Sequence, residues 1–493
     1  MFPGQKSTGT MEAAKKEIVV MWYLTLTKRP KVRSIGTFFG TAVAIGFVTF
    51  SAPTSAETIF EPLERVGKSS QEAMRTGVQR QGTGRLKVEA MQRLFDRSEG
   101  NGGRVNQIPL QMLDGSHSTL QLRGQTSAGS GNTQVLSGLL DGQEHNLSTL
   151  TNNNGSLMGR IWKDGKLFKI NGDRGGSYQL SEIRRTGRPE ARKALGPEDA
   201  PHQQNARRSE AAQGPAPQPG EPIDLMVLIS ERAAEELGGR DQAKQHVELL
   251  VAEANWIFRR SGAAEGQMFR LVEADINPLD EDNDPVKYIK TWMTFKPFVA
   301  DRNVAGADLV HFIVYPDDYR FCSKAFRGPD VYDPNGYPEL GYSLSTFKCL
   351  SSNLGLVQGL GENLGAGYER IIEGQRGYAY AVTNIPKKWN TIAAMGFGCY
   401  KAHNEFCKEL PYFSNPRLSY NGDPMGVPQG GVRAADNAAF IRANHALIAA
   451  YRPRAESGGD GGGRKDNIGG IVIEKSARTK PAPNTGKERK IKW

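Results

Sequence analysis

The sequence predicts a mixed α+β or α/β protein in which a small all-β unit precedes a mixed sheet backed by helices. Three observations predict it. Between residues 105 and 183, short alternating segments are separated by Gly, Asn and Asp turns. Residues 184–221 are dominated by Pro, Gly, Gln, Ala and Arg, a composition that cannot bury a core. From Ile223 onward a strand, a long helix and two more strands follow in α/β order.

At the N-terminus, Lys28, Arg29, Lys31 and Arg33 precede an uncharged apolar run over residues 35–50, followed by Ser51, Ala52, Pro53, Thr54, Ser55 and Ala56. Charged, then apolar, then small is the order of an export signal, with cleavage expected after Ala56. The run is short of the about 20 residues a spanning helix needs, and the alternative is an uncleaved anchor through residues 35–50. Met21 would start a signal of ordinary length. The expected localisation is therefore secreted or periplasmic. Export bears on the four cysteines, Cys322, Cys349, Cys399 and Cys407. Outside the cytosol an even number favours disulfides over free thiols, and separation along the chain pairs Cys322 with Cys349 and Cys399 with Cys407.

Residues 57–183 open with a polar stretch that is weakly helical over 86–95. The all-β texture follows, with segments at 118–122, 133–140 and 156–162. Lys163-Asp164-Gly165-Lys166 reads as a hairpin turn, because Asp-Gly tolerates the positive backbone angles of a tight two-residue loop. Residues 184–221 read as a disordered linker carrying the dibasic pairs Arg184-Arg185 and Arg207-Arg208. In residues 222–454, the run from Ile223 to Ile229 fits a buried strand. Ala243, Val247, Leu250, Ala254, Ile257 and Phe258 keep helical spacing after Asp241, a candidate N-cap, and Gly262 stops the helix. Strands are expected at 269–272 and 308–314. Residues 455–493 are rich in Gly, Lys and Arg and read as a basic disordered tail.

The formal charge of +10 on 493 residues could attract acidic polymers. No aromatic-basic pattern or zinc finger accompanies it, so no nucleic-acid partner is expected.

One segment carries the functional reading: Gln358-Gly359-Leu360-Gly361-Glu362-Asn363-Leu364-Gly365-Ala366-Gly367-Tyr368-Glu369. It resembles the reprolysin-like and peptidyl-Asp metalloendopeptidase branch of the metzincins, whose motif commonly reads H-E-x-G-H-N-x-G-x-x-H-D. Gly361, Asn363, Leu364, Gly365, Ala366 and Gly367 keep that scaffold. Gln358, Glu362 and Tyr368 stand where the zinc-binding histidines would be, and Gly359 where the catalytic glutamate would be. Flanking segments extend the resemblance over about residues 223–453, with Met395 at the methionine turn and the upstream β region in the place of a propeptide.

The resemblance implies a metzincin-like mixed sheet and, in the family, a zinc-bound water deprotonated by the glutamate. Here no catalytic residue is intact. Gln358 offers a neutral amide oxygen, and Glu362 and Tyr368 offer oxygens where imidazole nitrogens are wanted, so no metal and no cofactor is expected. Glu362, Glu369 and Tyr368 could approach a hard cation, but calcium takes about six to eight oxygens and no acidic loop supports it. The plainer expectation is that Gln358, Glu362 and Tyr368 hydrogen-bond one another. Of the seven histidines, His117, His145, His202, His246, His403 and His445 lie away from the motif, and His311 reads as a core histidine. The resemblance also implies a peptide-binding edge strand at Tyr342, Ser343, Leu344 and Ser345, since strand addition needs backbone rather than metal. The expected function is an exported inactive metalloendopeptidase homologue that binds an unknown peptide or protein. The alternative is a zinc-dependent metalloendopeptidase with an unconventional site.

Overall fold

The computed structural model describes residues 58–68, 77–99, 105–125, 133–184, 194–200, 220–277, 284–315, 322–330, 334–370 and 377–455. The expected signal, the dibasic pair at 207–208 and the basic tail after 455 lie outside the described residues. What is described is a mixed α+β protein.

The first part is a curled antiparallel sheet whose strands follow chain order except at one end. Strands Arg65–Lys68 (β1) and Val78–Arg85 (β2) come first, then helix Val88–Glu99 (α1). The meander continues through Asn106–Gln111 (β3), His117–Gln125 (β4), Gln134–Leu140 (β5) and Leu147–Asn153 (β6). It ends with Ser156–Lys163 (β7), Lys166–Gly172 (β8) and Ser177–Ile183 (β9). The spatial order β1-β2-β9-β8-β7-β6-β5-β4-β3 brings β2 against β9. Asp164 and Gly165, at φ 51° and 76°, make the predicted hairpin between β7 and β8. The polar strands β1 and β2 were not legible: Val78–Arg85 shows no apolar alternation and is held by pairing to β9. Its Gly84 leaves room for the Tyr178 ring, which a Cβ would meet at 2.6 Å. One face of this sheet is covered by Met91, Leu94 and Phe95 of α1.

The second part begins at Ile223–Ser230 (β10), buried along its whole length. Helix Glu231–Glu236 (α2) leads into the long helix Arg240–Arg260 (α3). Gly239, at φ 102°, caps α3, so Asp241 falls in its first turn rather than at the N-cap. There its charge meets the positive end of the helix dipole. Phe269–Asn277 (β11), Pro285–Trp292 (α4), Lys296–Ala305 (α5) and Leu309–Val314 (β12) follow. Ser323–Ala325 (β13) and Tyr342–Thr346 (β14) complete a sheet of order β11-β10-β12-β14-β13. All pairs are parallel except β13 with β14. Its two faces explain the unbroken apolar run in β10. Leu225, Val227 and Ile229 pack on α3, and Met226 and Leu228 pack with Tyr288, Trp292 and Phe298 of α4 and α5.

Helices Phe347–Ser352 (α6) and Gly355–Asn363 (α7) follow β14, and Asn437–Ile448 comes last. Disulfides join Cys322 to Cys349 and Cys399 to Cys407, as the spacing suggested.

The two parts share a core. Leu147, Trp162, Leu167 and Ile183 of the curled sheet belong to the same apolar cluster as Val247, Leu250 and Phe258 of α3. A buried polar joint reinforces it. The Arg160 guanidinium lies 2.8 Å from Glu253 of α3 and donates to the carbonyls of Leu350 (2.8 Å) and Asn353 (3.0 Å), while Trp162 Nε1 donates to the second Glu253 oxygen at 2.7 Å.

The linker also departs from expectation. Leu195, 4% exposed, donates its N–H to the Ala325 carbonyl (2.9 Å) and accepts from Arg327 N–H (2.8 Å). Residues 194–200 are thus seated along β13, with Asp199 3.8 Å from Lys290. An apolar side chain inserted beside Phe326 outweighs the polar composition of its neighbours.

Candidate functional site

Helix α7 carries the motif, and its glycines set how closely it sits against its surroundings. A Cβ on Gly359 would lie 2.7 Å from Ser323 Oγ and 3.3 Å from both His311 Cε1 and Ser343 Cβ. Position 359 therefore faces β12, β13 and β14 at close range. At the far end the Ala366 N–H reaches back to the Gly361 carbonyl (2.9 Å), and Gly365 takes φ 89°, a left-handed conformation that ends the helix as glycine readily does. Asn363 bridges two strands by donating to the carbonyls of Phe326 (2.8 Å) and Tyr342 (3.0 Å). After the break, Asn437 holds Gly367 by its N–H (3.0 Å) and its carbonyl (2.9 Å), delivering Tyr368 back to the helix.

Gln358 and Glu362 are one helical turn apart on the same face. Gln358 Nε2 donates to Glu362 Oε1 at 3.0 Å and lies 3.3 Å from the Tyr368 hydroxyl, which itself donates to Glu362 Oε1. All three side chains are buried, at 6%, 1% and 3% exposure. The structure thus brings together the three positions that the family gives to histidine and closes them on one another.

Glu369 is engaged elsewhere, accepting from Thr383 Oγ1 and from the backbone N–H of Met395 at 3.0 Å. Met395 is buried beside Ala394 and Tyr368 in the main apolar cluster. His311 is fully buried, with Nδ1 2.8 Å from Ser343 Oγ, and loss of water drives its pKa down to about 3. It is a neutral ring at neutral pH.

The donor set does not fit zinc. An amide, a carboxylate and a phenol present oxygen where borderline-soft zinc takes imidazole. Gly359 carries no group to accept a proton from a bound water. Among the described residues, no group of three or more His, Cys, Asp or Glu side chains gathers to hold a metal.

The expected edge strand needs correction. Tyr342, Ser343, Leu344 and Ser345 lie in β14, which is paired on both sides: Leu344 opposes Phe312 in β12 and Lys324 in β13. The outer strand is β13, a three-residue strand whose sequence alone gives almost no periodic signal, and Leu195 already hydrogen-bonds along its outer side.

No family model matches the chain. It is 24% identical over 321 residues to the peptidyl-Asp metalloendopeptidase of Xanthomonas campestris pv. campestris, covering 62% of this chain and 70% of that protein. It is 38% identical over 76 residues to the peptidyl-Asp metalloendopeptidase of Stenotrophomonas maltophilia, covering 15% and 16%. Among solved structures it is similar to a chaperone-substrate complex (TM-score 0.34, 15% identity, 60% of this chain and 43% of that one). It is also similar to metalloproteinase-II from Bacteroides fragilis (TM-score 0.37, 11% identity, 56% and 85%). Both structural likenesses are too slight to define a shared fold; the sequence matches relate the chain distantly to metalloendopeptidases.

Proposed function

We propose that this chain is an exported, catalytically inactive homologue of the metalloendopeptidases that acts as a peptide- or protein-binding module. The observation that carries the reading is the buried triad of Gln358, Glu362 and Tyr368, which spends its polar groups internally beside a glycine that offers no general base. The two disulfides are consistent with export to an oxidising compartment. No helix among the described residues is long and apolar enough to cross a membrane. Support for binding comes from the outer side of β13, where Leu195 already forms backbone hydrogen bonds of the kind an extended partner would make.

Metal content and proteolysis test the inactive half together. The purified chain should hold far less than one zinc per molecule and show no chelator-sensitive digestion of casein. The variant Gln358→His, Glu362→His, Tyr368→His should gain zinc. Adding Gly359→Glu restores the base but crowds Ser323, at a cost of about 1–3 kcal/mol for overpacking, so the triple variant is the cleaner test of affinity. Stoichiometric zinc in the natural chain, or cleavage abolished by chelator, would favour the unconventional-peptidase reading. Absence of saturable binding by labelled extended peptides would remove the binding half.

A further inference from the structure

A cleft of about 1710 Å³ opens between β2 and β7–β9 of the curled sheet and the α2–α3 segment, well removed in sequence from the motif. Lys169 lines it from β8, flanked across the sheet by Arg160 on β7 and Ser181 on β9. His246 reaches it from α3. Arg160 is committed to Glu253, and the other Glu253 oxygen to Trp162. Lys169 is half-buried and has no hydrogen-bond or ion-pair partner among the described residues. His246 is 7% exposed, and its Nε2 likewise lacks a hydrogen-bond partner. The carboxylates of the lining lie elsewhere: Glu64, Asp173, Glu236 and Asp241 are exposed, Glu64 is 3.2 Å from Arg85, and Asp173 accepts from Ser177 N–H. The same cleft offers Gln81, Asn171, Gln179 and Gln245 as hydrogen-bonding amides.

A half-buried ammonium with no counter-ion, inside a polar cleft large enough for a small molecule, lacks its natural complement. We propose that this cleft binds a polar ligand through a carboxylate received by Lys169, with the neighbouring amides holding the ligand's hydroxyl or amide groups. A carboxylate matches the single unspent cation, and the amide-rich walls suit a sugar acid or the free C-terminus of a peptide equally. Burial first, and then the Arg160 charge, draw the Lys169 ammonium down to about 7, with Glu253 pulling the other way. A bound anion favours the ammonium and raises that value, so at about pH 8 binding takes up a proton.

The experiment is calorimetry of the full chain with galacturonate against galactose, and with a short peptide bearing a free against an amidated C-terminus. The expected result is saturable binding of at least one carboxylate probe, at least about tenfold tighter than its neutral counterpart. Its heat should vary with the ionisation enthalpy of the buffer. Galacturonate alone binding points to a free sugar acid, and the free-ended peptide alone to a chain terminus. Lys169→Met should weaken binding by about tenfold while Lys169→Arg retains it. A readout on the natural chain guards against misfolding: the carboxylate probe should slow reductive methylation of Lys169, followed by mass spectrometry. Equal binding of the neutral counterparts, no saturable binding by either carboxylate, or unaltered methylation would overturn the proposal.

Discussion

Gln358, Glu362 and Tyr368 show how three side-chain replacements turn the place of a metal centre into a stretch of polar core. The sequence revealed this much because the scaffold residues around the three positions, Gly361, Asn363 and Gly365, hold a recognisable spacing. What it did not reveal is how closely position 359 is packed, since the contacts with His311, Ser323 and Ser343 come from three strands distant in the chain. His311 yields a pH prediction. Its folded-state pKa, about 3, lies below the ordinary value of 6.5, so the unfolded chain binds the proton more readily. The stability it contributes is complete above that ordinary value and is lost as pH falls from there towards about 3. Urea unfolding between about pH 7 and pH 4 should therefore lose up to about 1.4 kcal/mol per pH unit from this residue. His311→Gln should flatten the dependence; an unchanged slope would mean the ring is protonated in the fold.

At the scale of elements, the joint between β7 and α3 is the point of greatest leverage. Removing one partner of a buried ion pair strands the other, typically at a cost of about 3–5 kcal/mol. Arg160→Ala should therefore destabilise the chain by about that amount, since Glu253 is left with the Trp162 indole alone. Arg160→Met combined with Glu253→Leu should recover most of the loss in the same denaturant titration. Recovery of nothing would place the cost in the carbonyls of Leu350 and Asn353, which Arg160 also serves. Strands and helices with a strong period were legible: β10, α3 and the Asp164-Gly165 hairpin each announce themselves locally. The docking of β7 on α3 was not, because Arg160 and Glu253 are paired across the fold and neither stands out in its own segment. The short β13 escaped for a related reason, its pairing with β14 being set by the surrounding chain rather than by its three residues.

For the whole molecule, the expectation of a separable N-terminal unit meets a shared interior. Leu147, Trp162, Leu167 and Ile183 are buried together with the apolar side of α3. A chain beginning near residue 220 would expose that side to water, and burying a large apolar side chain contributes about 1.5–3 kcal/mol. Expressed alone, residues 220–455 should melt well below the full chain or collect as aggregate; a fragment of undiminished melting temperature would show that the curled sheet is dispensable. Leu195 has a consequence of a different kind. An unguarded outer strand is a template on which further copies of a chain can stack without limit. By tethering Leu195 there, the protein keeps a stopper on its own surface, and a molecule made to meet other chains outside the cell is spared polymerising with itself.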